Sequence, residues 1–435
     1  MRKLFIVTFL LMGWIINAQT ILTIEGQTYT NYDDTWTGVN ISRVRPTTFT
    51  FRNNAINSVN RYGYMLCAGD EVPNSYNNNL AGEVISGNKF TWRGNDMTSI
   101  THGLFTGHNI NAVIKYNYLD GVPMGIIRKS GNNMINTGGG IAYNIVKGGA
   151  VAIVVKGMSN VRIHNNTLYS DRTTSQTGRP LIHIYTNTDN GAYSVSHGTK
   201  IYNNIFYTRY QTYCITVADN ESLTGLECDH NVYWCDTGTP VFNVNGTKIT
   251  FAQWQAMGYD ANSIVINPGF EDLFNFVPSK RLDYGKNLGS EWEDGLSVYP
   301  RWGKSDPPTA KQNGIWQVGA VIYPEDYVPG EKTDSGDQWP GKDSSLPGTG
   351  HYNPDFINLY PIPNDGRFTV TITSSIPTEV NRITVICSNG RTVFNGSLRK
   401  DENIKQLDLS HLKRGFYTLM IIGEEIFFTK KFVKE

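Results

Sequence analysis

The chain has 435 residues, enough for one large domain or two smaller ones, with 38 basic and 38 acidic side chains that balance to a formal net charge of zero. Charged residues make up 17% and aromatic residues 12%, beside 43 glycines, a composition that suits a β-rich exported protein meeting its partner through rings and hydroxyls. The charge is unevenly spread: residues 356–435 carry 11 basic and 8 acidic groups, whereas 19–355 are net −5, which removes the electrostatic footprint of a nucleic-acid-binding protein.

The chain opens with Met-Arg-Lys, an apolar run from Leu4 to Ile16, and Asn-Ala-Gln. This order predicts a secretory signal over residues 1–18, cleaved near Ala18. The apolar run is too short to span a bilayer, and no later segment is apolar enough, so a soluble exported protein without a transmembrane segment is expected. Residues 19–48, with Trp36, Asp33 and Asp34, read as a cap over the first repeat.

From residue 51 one pattern returns: an apolar residue, an asparagine three positions on, and an apolar residue two further. The seven copies are Phe51/Asn54/Ile56, Ile85/Asn88/Phe90, Ile114/Asn117/Leu119, Ile141/Asn144/Val146, Ile163/Asn166/Leu168, Ile201/Asn204/Phe206 and Cys228/Asn231/Tyr233. They are separated by 34, 29, 27, 22, 38 and 27 residues. Repeats of this length bury their apolar faces on one another as a solenoid. The units are rich in alternating Val, Ile, Tyr and Thr, broken by Gly and Asn, and are therefore strands. Coils whose strands pair with the coils above and below place each asparagine over the next, in a hydrogen-bonded ladder at a bend. The prediction is an all-β chain built on a right-handed parallel β-helix. The asparagine-rich run 74–80 and the insertion 171–179 become loops. Five cysteines, Cys67, Cys214, Cys228, Cys235 and Cys387, fit no zinc spacing and are expected as buried thiols.

After the last repeat, residues 250–258 predict a short helix with a capping box from Thr250 to Gln253 and a terminal Gly258. Ser263 to Phe270 predicts a last strand. This pair resembles the C-terminal closing segment of many β-helical carbohydrate-active enzymes, which implies a plug for the open end of the solenoid. The whole domain is assigned to 19–328. Residues 329–354, dense in Gly, Pro, Ser and Asp, read as a linker.

Residues 355–435 form a separate small β domain. Asn389-Gly390 between two strands signals a hairpin. Tyr360-Pro-x-Pro-Asn-Asp-Gly-Arg-Phe368, Gly415-x-Tyr417 and Lys430-Lys431 resemble the C-terminal sorting domain of the type IX secretion system of Bacteroidetes, with Ile362 where that family usually has asparagine. The resemblance implies a β-sandwich, the secretion machinery as partner, export across the outer membrane, and release or surface attachment.

Candidate chemistry lies where the first strand of each coil is set in register. Gly103–Gly107, Gly125–Lys129, Ala152–Lys156, Leu181–Tyr185 and Cys214–Ala218 then align with Leu104, Ile126, Ile153, Ile182 and Ile215 facing inward. Alternation puts the third and fifth columns outside. Lys129 and Lys156 stack on successive coils there, with His183, Tyr185, Thr216 and Phe105 on the same face. Like charges so close disfavour each other, so one lysine is expected as a base and the other as an anion holder. A base, a cation and a proton donor such as Tyr185 or His183 are what β-elimination from a uronic acid needs. The arrangement resembles the β-helical polysaccharide lyases of the chondroitinase B and alginate lyase group. That resemblance implies Lys129 as base, calcium at the substrate carboxylate, and Lys156 where the group has arginine, although no acidic ligand set is spaced for the ion. Arg128, Thr216 and Phe105 are candidate substrate contacts, but alternation turns Arg128 inward. The expected function is a secreted, monomeric lyase of an acidic polysaccharide. The alternatives are a glycoside hydrolase using corner carboxylates such as Asp96, Asp120 and Asp171, and a non-catalytic glycan-binding or adhesive surface protein. Asn187-Thr188-Asp189 with His197-Gly198 matches only fragments of the polygalacturonase signature.

Overall fold

A computed structural model describes residues 21–324 except 32–36, 42–47, 60–62, 69–79, 82, 94–101, 108, 131–137, 172–178, 192, 271–272 and 299. It also describes 357–434 except 361–364, 373–379, 388–391, 400–403 and 423–426. The signal (1–18), the linker (329–354), Asp96, Cys-distal Asn389-Gly390 and the loop centres at 74–79 and 172–178 lie outside the described residues. The chain forms two compact units, 1–331 and 332–435.

The first unit is a parallel β-helix of three sheets. Sheet A holds eight strands, from Ile21–Glu25 to Glu227–Asp229, the last seven each lying before an asparagine corner. Sheet B holds nine, from Thr28–Asn31 to Ile264–Val265, the middle seven each lying after such a corner. Sheet C follows in each coil, from Thr37–Asn40 to Val241–Val244, and ends on an antiparallel strand, Thr247–Thr250. Every other pairing in these three sheets joins one coil to the next in parallel.

The seven asparagines form the expected ladder. Asn54, Asn88, Asn117, Asn144, Asn166, Asn204 and Asn231 are fully buried, and each Nδ2 of the first six donates to Oδ1 of the next at 2.9–3.1 Å. The same Oδ1 accepts from the preceding asparagine's backbone N–H, so one acceptor satisfies two donors at every rung. The second Nδ2 hydrogen reaches a carbonyl of the previous coil, such as Phe51 O from Asn88 and Ile114 O from Asn144. Burying these amides is tolerable because their valences are filled, since an unpaired buried polar group costs about 1–3 kcal/mol.

The residue before each rung turns the chain with positive φ: Asn53, Gly87, Tyr116, Tyr143, Asn165, Asn203 and His230 all lie between 52° and 67°. Asparagine and glycine adopt this left-handed conformation readily, whereas tyrosine is unusual there. Tyr116 and Tyr143 are held by what they touch. Their hydroxyls donate to Asp294 O and Trp292 O at 2.5 Å, in a segment that packs on the outside of the coil.

Residues 19–48 differ from their expectation as a cap. Residues 21–40 supply strands to all three sheets and are a full coil. Its rung is Ile24/Gln27/Tyr29, with Gln27 backbone N–H donating to Asn54 Oδ1 at 2.9 Å. Glutamine in the asparagine place hid the repeat.

The far end closes largely as predicted. Phe251–Ala256 is a helix whose N-cap Thr250 and Gln253 form a capping box, and Gly258 follows at φ +95°. Buried Trp254 stacks on Phe242 at 5.0 Å and donates from Nε1 to Asp260 at 2.6 Å. Asp260 also receives Asn231 Nδ2 at 3.0 Å and Tyr233 hydroxyl at 2.8 Å, so it ends the ladder. The last strand is shorter than expected, Ile264–Val265, because Phe270 bridges to Pro278 and the chain turns onto the outer surface. There Phe276, Leu296, Val298 and Val321 to Tyr323 bury Tyr118, Tyr143, Ile145 and Tyr169 in a second apolar cluster outside the coil.

The second unit pairs its strands antiparallel in two sheets. One holds Ile357–Tyr360, Arg367–Ile372 and Ile404–Asp408, the other Thr392–Arg399, Val380–Cys387, Gly415–Ile422 and Phe427–Lys434. Phe368, Val370 and Leu407 of the first meet Ile383, Val385, Leu419 and Phe432 of the second in one core, which makes a sandwich.

Candidate functional site on the outer face of sheet C

Sheet C takes the register its alternation predicts. Gly107, Lys129, Lys156 and Tyr185 lie beside one another on successive coils, as do Phe105, Ile127, Val154, His183 and Thr216. The inward column, Leu104, Ile126, Ile153, Ile182 and Ile215, is fully buried. Adjacent strands about 4.8 Å apart set the spacing of the outward side chains.

The two lysines emerge side by side, but they do not face each other alone. Lys129 Nζ lies 2.8 Å and Lys156 Nζ 2.6 Å from the same oxygen, Asp189 Oδ2. The mutual repulsion expected to single out one amine as a base is therefore offset by a shared carboxylate. Burial pushes the Asp189 carboxyl up, and the two ammonium groups more than reverse that, holding it below its ordinary value. Asp189 opens a short 3₁₀ turn, Asp189–Gly191, and its N–H donates to Asn187 Oδ1 at 3.1 Å. Asn187 Nδ2 in turn donates to Ser130 O at 2.6 Å, pinning the loop to the end of the Lys129 strand.

One coil further, the His183 and Tyr185 rings lie 4.4 Å apart and Lys156 Nζ sits 5.2 Å from the Tyr185 centroid. Burial first, then Lys156, push His183 down to about 4, against a smaller opposing pull from Asp219. Burial, with Asp189 adding to it, pushes Tyr185 up to about 12. Near neutral pH the site therefore presents a neutral imidazole and a neutral phenol beside two cations. Thr216, next to His183 in the register, is nearly buried, with no partner for its hydroxyl among the described residues. His102, which the repeat pattern did not single out, packs on Tyr64 at 4.8 Å and is pushed down to about 4 by burial and then by Lys129 and Lys156.

Two candidate substrate contacts do not reach this surface. Arg128 is fully buried inside the coil, donating to Ala112 O at 3.3 Å, and the alternation that exposes Lys129 is what turns it inward. Its electrostatic neighbour is buried Glu83, whose carboxyl is pushed up to about 8 by burial despite that arginine. Phe105 faces outward yet is 1% exposed, packed with Tyr64, Cys67, Ile127 and Val154 in an apolar layer at the foot of the lysines. Calcium is implied only by the lyase resemblance, and the residues present do not fit it. Among the described residues no three His, Cys, Asp or Glu side chains converge, and the nearest carboxylate, Asp189, is held by two cations. Asp120, a candidate for the hydrolase alternative, is bound to Arg93 at 2.5 Å. Cys67, Cys214, Cys228 and Cys235 are buried, as expected, and the last three are free thiols.

The comparisons with known proteins bear on the second unit. Residues 358–435 match the family described as the secretion system C-terminal sorting domain. This segment is a type IX sorting domain. With it the chain is exported to the cell surface or the medium and meets the type IX secretion machinery. The sandwich of this sorting domain carries Arg367 beside Asp408 at 3.1 Å and Tyr417, whose hydroxyl donates to Lys413 O at 2.6 Å. No curated protein matches the chain. Among the described residues no helix is long and apolar enough to cross a membrane.

Proposed function

We propose that the β-helix is a lyase that cleaves an acidic, uronate-containing polysaccharide by β-elimination on the outer face of sheet C. The observation that carries this reading is the convergence of Lys129 and Lys156, from successive coils, on one carboxylate oxygen. A pair of ammonium groups at that spacing suits a substrate carboxylate, which would take the place of Asp189. The reaction removes the C5 proton, forms the C4=C5 double bond and breaks the C4–O bond. The two lysines lower the energy of the enolate-like anion on the carboxylate. His183, neutral and with no hydrogen bond to the described residues, accepts the C5 proton, and the Tyr185 phenol gives its proton to the departing oxygen. This assigns the base to the imidazole rather than to a lysine, because both lysines are committed to the anion. Thr216 orients the sugar through its hydroxyl.

The test is incubation of the mature protein with alginate, pectate and chondroitin, following ultraviolet absorbance of the unsaturated product. Absorbance lost in Lys156→Ala and His183→Ala is expected. New reducing ends without that absorbance would replace the lyase by a hydrolase. A second reading, non-catalytic glycan binding, is favoured by the same Asp189 ion pair, which leaves the lysines satisfied without substrate. Binding of these polymers with neither product would decide for it.

A further inference from the structure

A separate cavity of about 230 Å³ opens on the other side of the coil, between sheet A and the outer segment 286–292. Its floor is His164 and Tyr202 on successive strands, and its wall is Trp292. The Trp292 ring meets His164 edge-on at 4.5 Å, and Gly140 makes that approach possible, since a Cβ there would fall 2.3 Å from the indole. The charges around the rim are mostly spoken for. Arg162 pairs with Glu291 at 2.9 Å, and Lys200 pairs with Glu227 at 2.7 Å, while Glu227 also receives the Tyr202 hydroxyl. Lys286 makes no close ion pair among the described residues, although its charge helps hold the Glu227 carboxyl below its ordinary value; its Nζ lies 4.4 Å from the Tyr202 centroid.

His164 adds a second, independent signal. It is fully buried, and burial pushes it down to about 3, so the ring is neutral. Nδ1 lies 3.3 Å from Asn165 Oδ1, an oxygen that also accepts from Asn203 Nδ2, so Nδ1 carries the hydrogen. That leaves a lone pair on Nε2, which is buried without a hydrogen-bond partner. A buried acceptor without a donor is costly unless something supplies one.

We propose that this cavity is a second carbohydrate subsite, taking one acidic monosaccharide unit. Lys286 binds the sugar's carboxylate, His164 Nε2 accepts a hydroxyl, and Trp292 covers the apolar face of the ring. The cavity has room for a single sugar ring and is smaller than the pockets that hold drug-sized ligands. The site stands on residues separate from Lys129 and Lys156 and holds whether or not the chain is a lyase.

The test uses the mature chain carrying Lys129→Ala and Lys156→Ala, which removes the sheet C cations. Glucuronate and galacturonate, with glucose and galactose as neutral counterparts, are titrated by saturation-transfer NMR. Saturable binding of the uronates, weakened about tenfold by Lys286→Ala and lost in Trp292→Ala, is expected. Lys286 is exposed, so its variant keeps the fold, which an unchanged melting temperature verifies. No saturable uronate binding in this background overturns the proposal. So does equal binding of neutral and acidic sugars that ignores Lys286→Ala.

Discussion

The interior corner between sheets A and B and the outer face of sheet C both stack one polar residue type on successive coils, yet they have opposite characters. Along the corner each asparagine gives and receives through the same rung, so the seven amides complete one another and leave nothing for a ligand. On the outer face two lysines can only donate, and a carboxylate from a loop stands between them. A column of one residue type is structural when its members fill each other's hydrogen-bonding capacity. It is open to chemistry when they cannot. Burial reinforces the contrast, since the asparagines are fully enclosed while the lysine side chains keep 13% and 15% of their surface.

The largest effect should come from breaking the closed column. Asn144→Ala leaves Asn117 N–H and Nδ2 without their acceptor and removes the donor to Asn166, in a site that excludes water. A loss of about 3 kcal/mol or more is expected in urea unfolding, consistent with two or more stranded buried groups. Lys156→Ala on the open column should instead leave the unfolding midpoint within about 1 kcal/mol, because the pair is partly solvated. Its activity on an acidic polysaccharide should fall about a hundredfold or more, the scale of losing a preorganised charge partner. Equal stability losses in the two variants would erase the distinction.

Acid sharpens the comparison at the imidazoles. Folded His164 stays neutral down to about 3, from an ordinary 6.5. Above pH 6.5 it is neutral in both states. Below that the unfolded chain takes up a proton that the folded chain refuses, so its contribution is lost as pH falls through that window. His164→Gln should therefore show a flatter decline in melting temperature between pH 6.5 and 4 than the parent chain. The smallest effect belongs to Asp189→Asn. Its carboxylate is 40% exposed, so less than about 1 kcal/mol of stability is expected to go. With the competing charge removed, KM for an acidic polymer should drop; an increase would show that Asp189 aids binding rather than holding its place.

Much of this arrangement was legible in the residues because it repeats. The ladder, the sheet C register and the Thr250 capping box follow from period, alternation and local chemistry. What escaped lacks a period. Gln27 fills an asparagine place and hid the first coil. Asp189 sits on a loop between strands, so no column could place it between the lysines. The outer segment from 273 to 324 has almost no regular strands and packs through scattered aromatics such as Phe276 and Trp302. Arg128 shows the reverse case: alternation already turned it inward, and the structure keeps it there.

The rungs of the corner all point one way. One hydrogen of every Nδ2 donates along the ladder toward the C-terminal end, and the last one meets the Asp260 carboxylate. The amide dipoles therefore add head to tail along the axis, with their positive end on an anion, much as an α-helix favours negative charge at its start. Turning a single side chain over would set donor against donor on one side and acceptor against acceptor on the other. The column thus has one coherent orientation, set at each rung by the backbone N–H on its Oδ1 and the carbonyl that its Nδ2 reaches, and the buried carboxylate completes it at the far end.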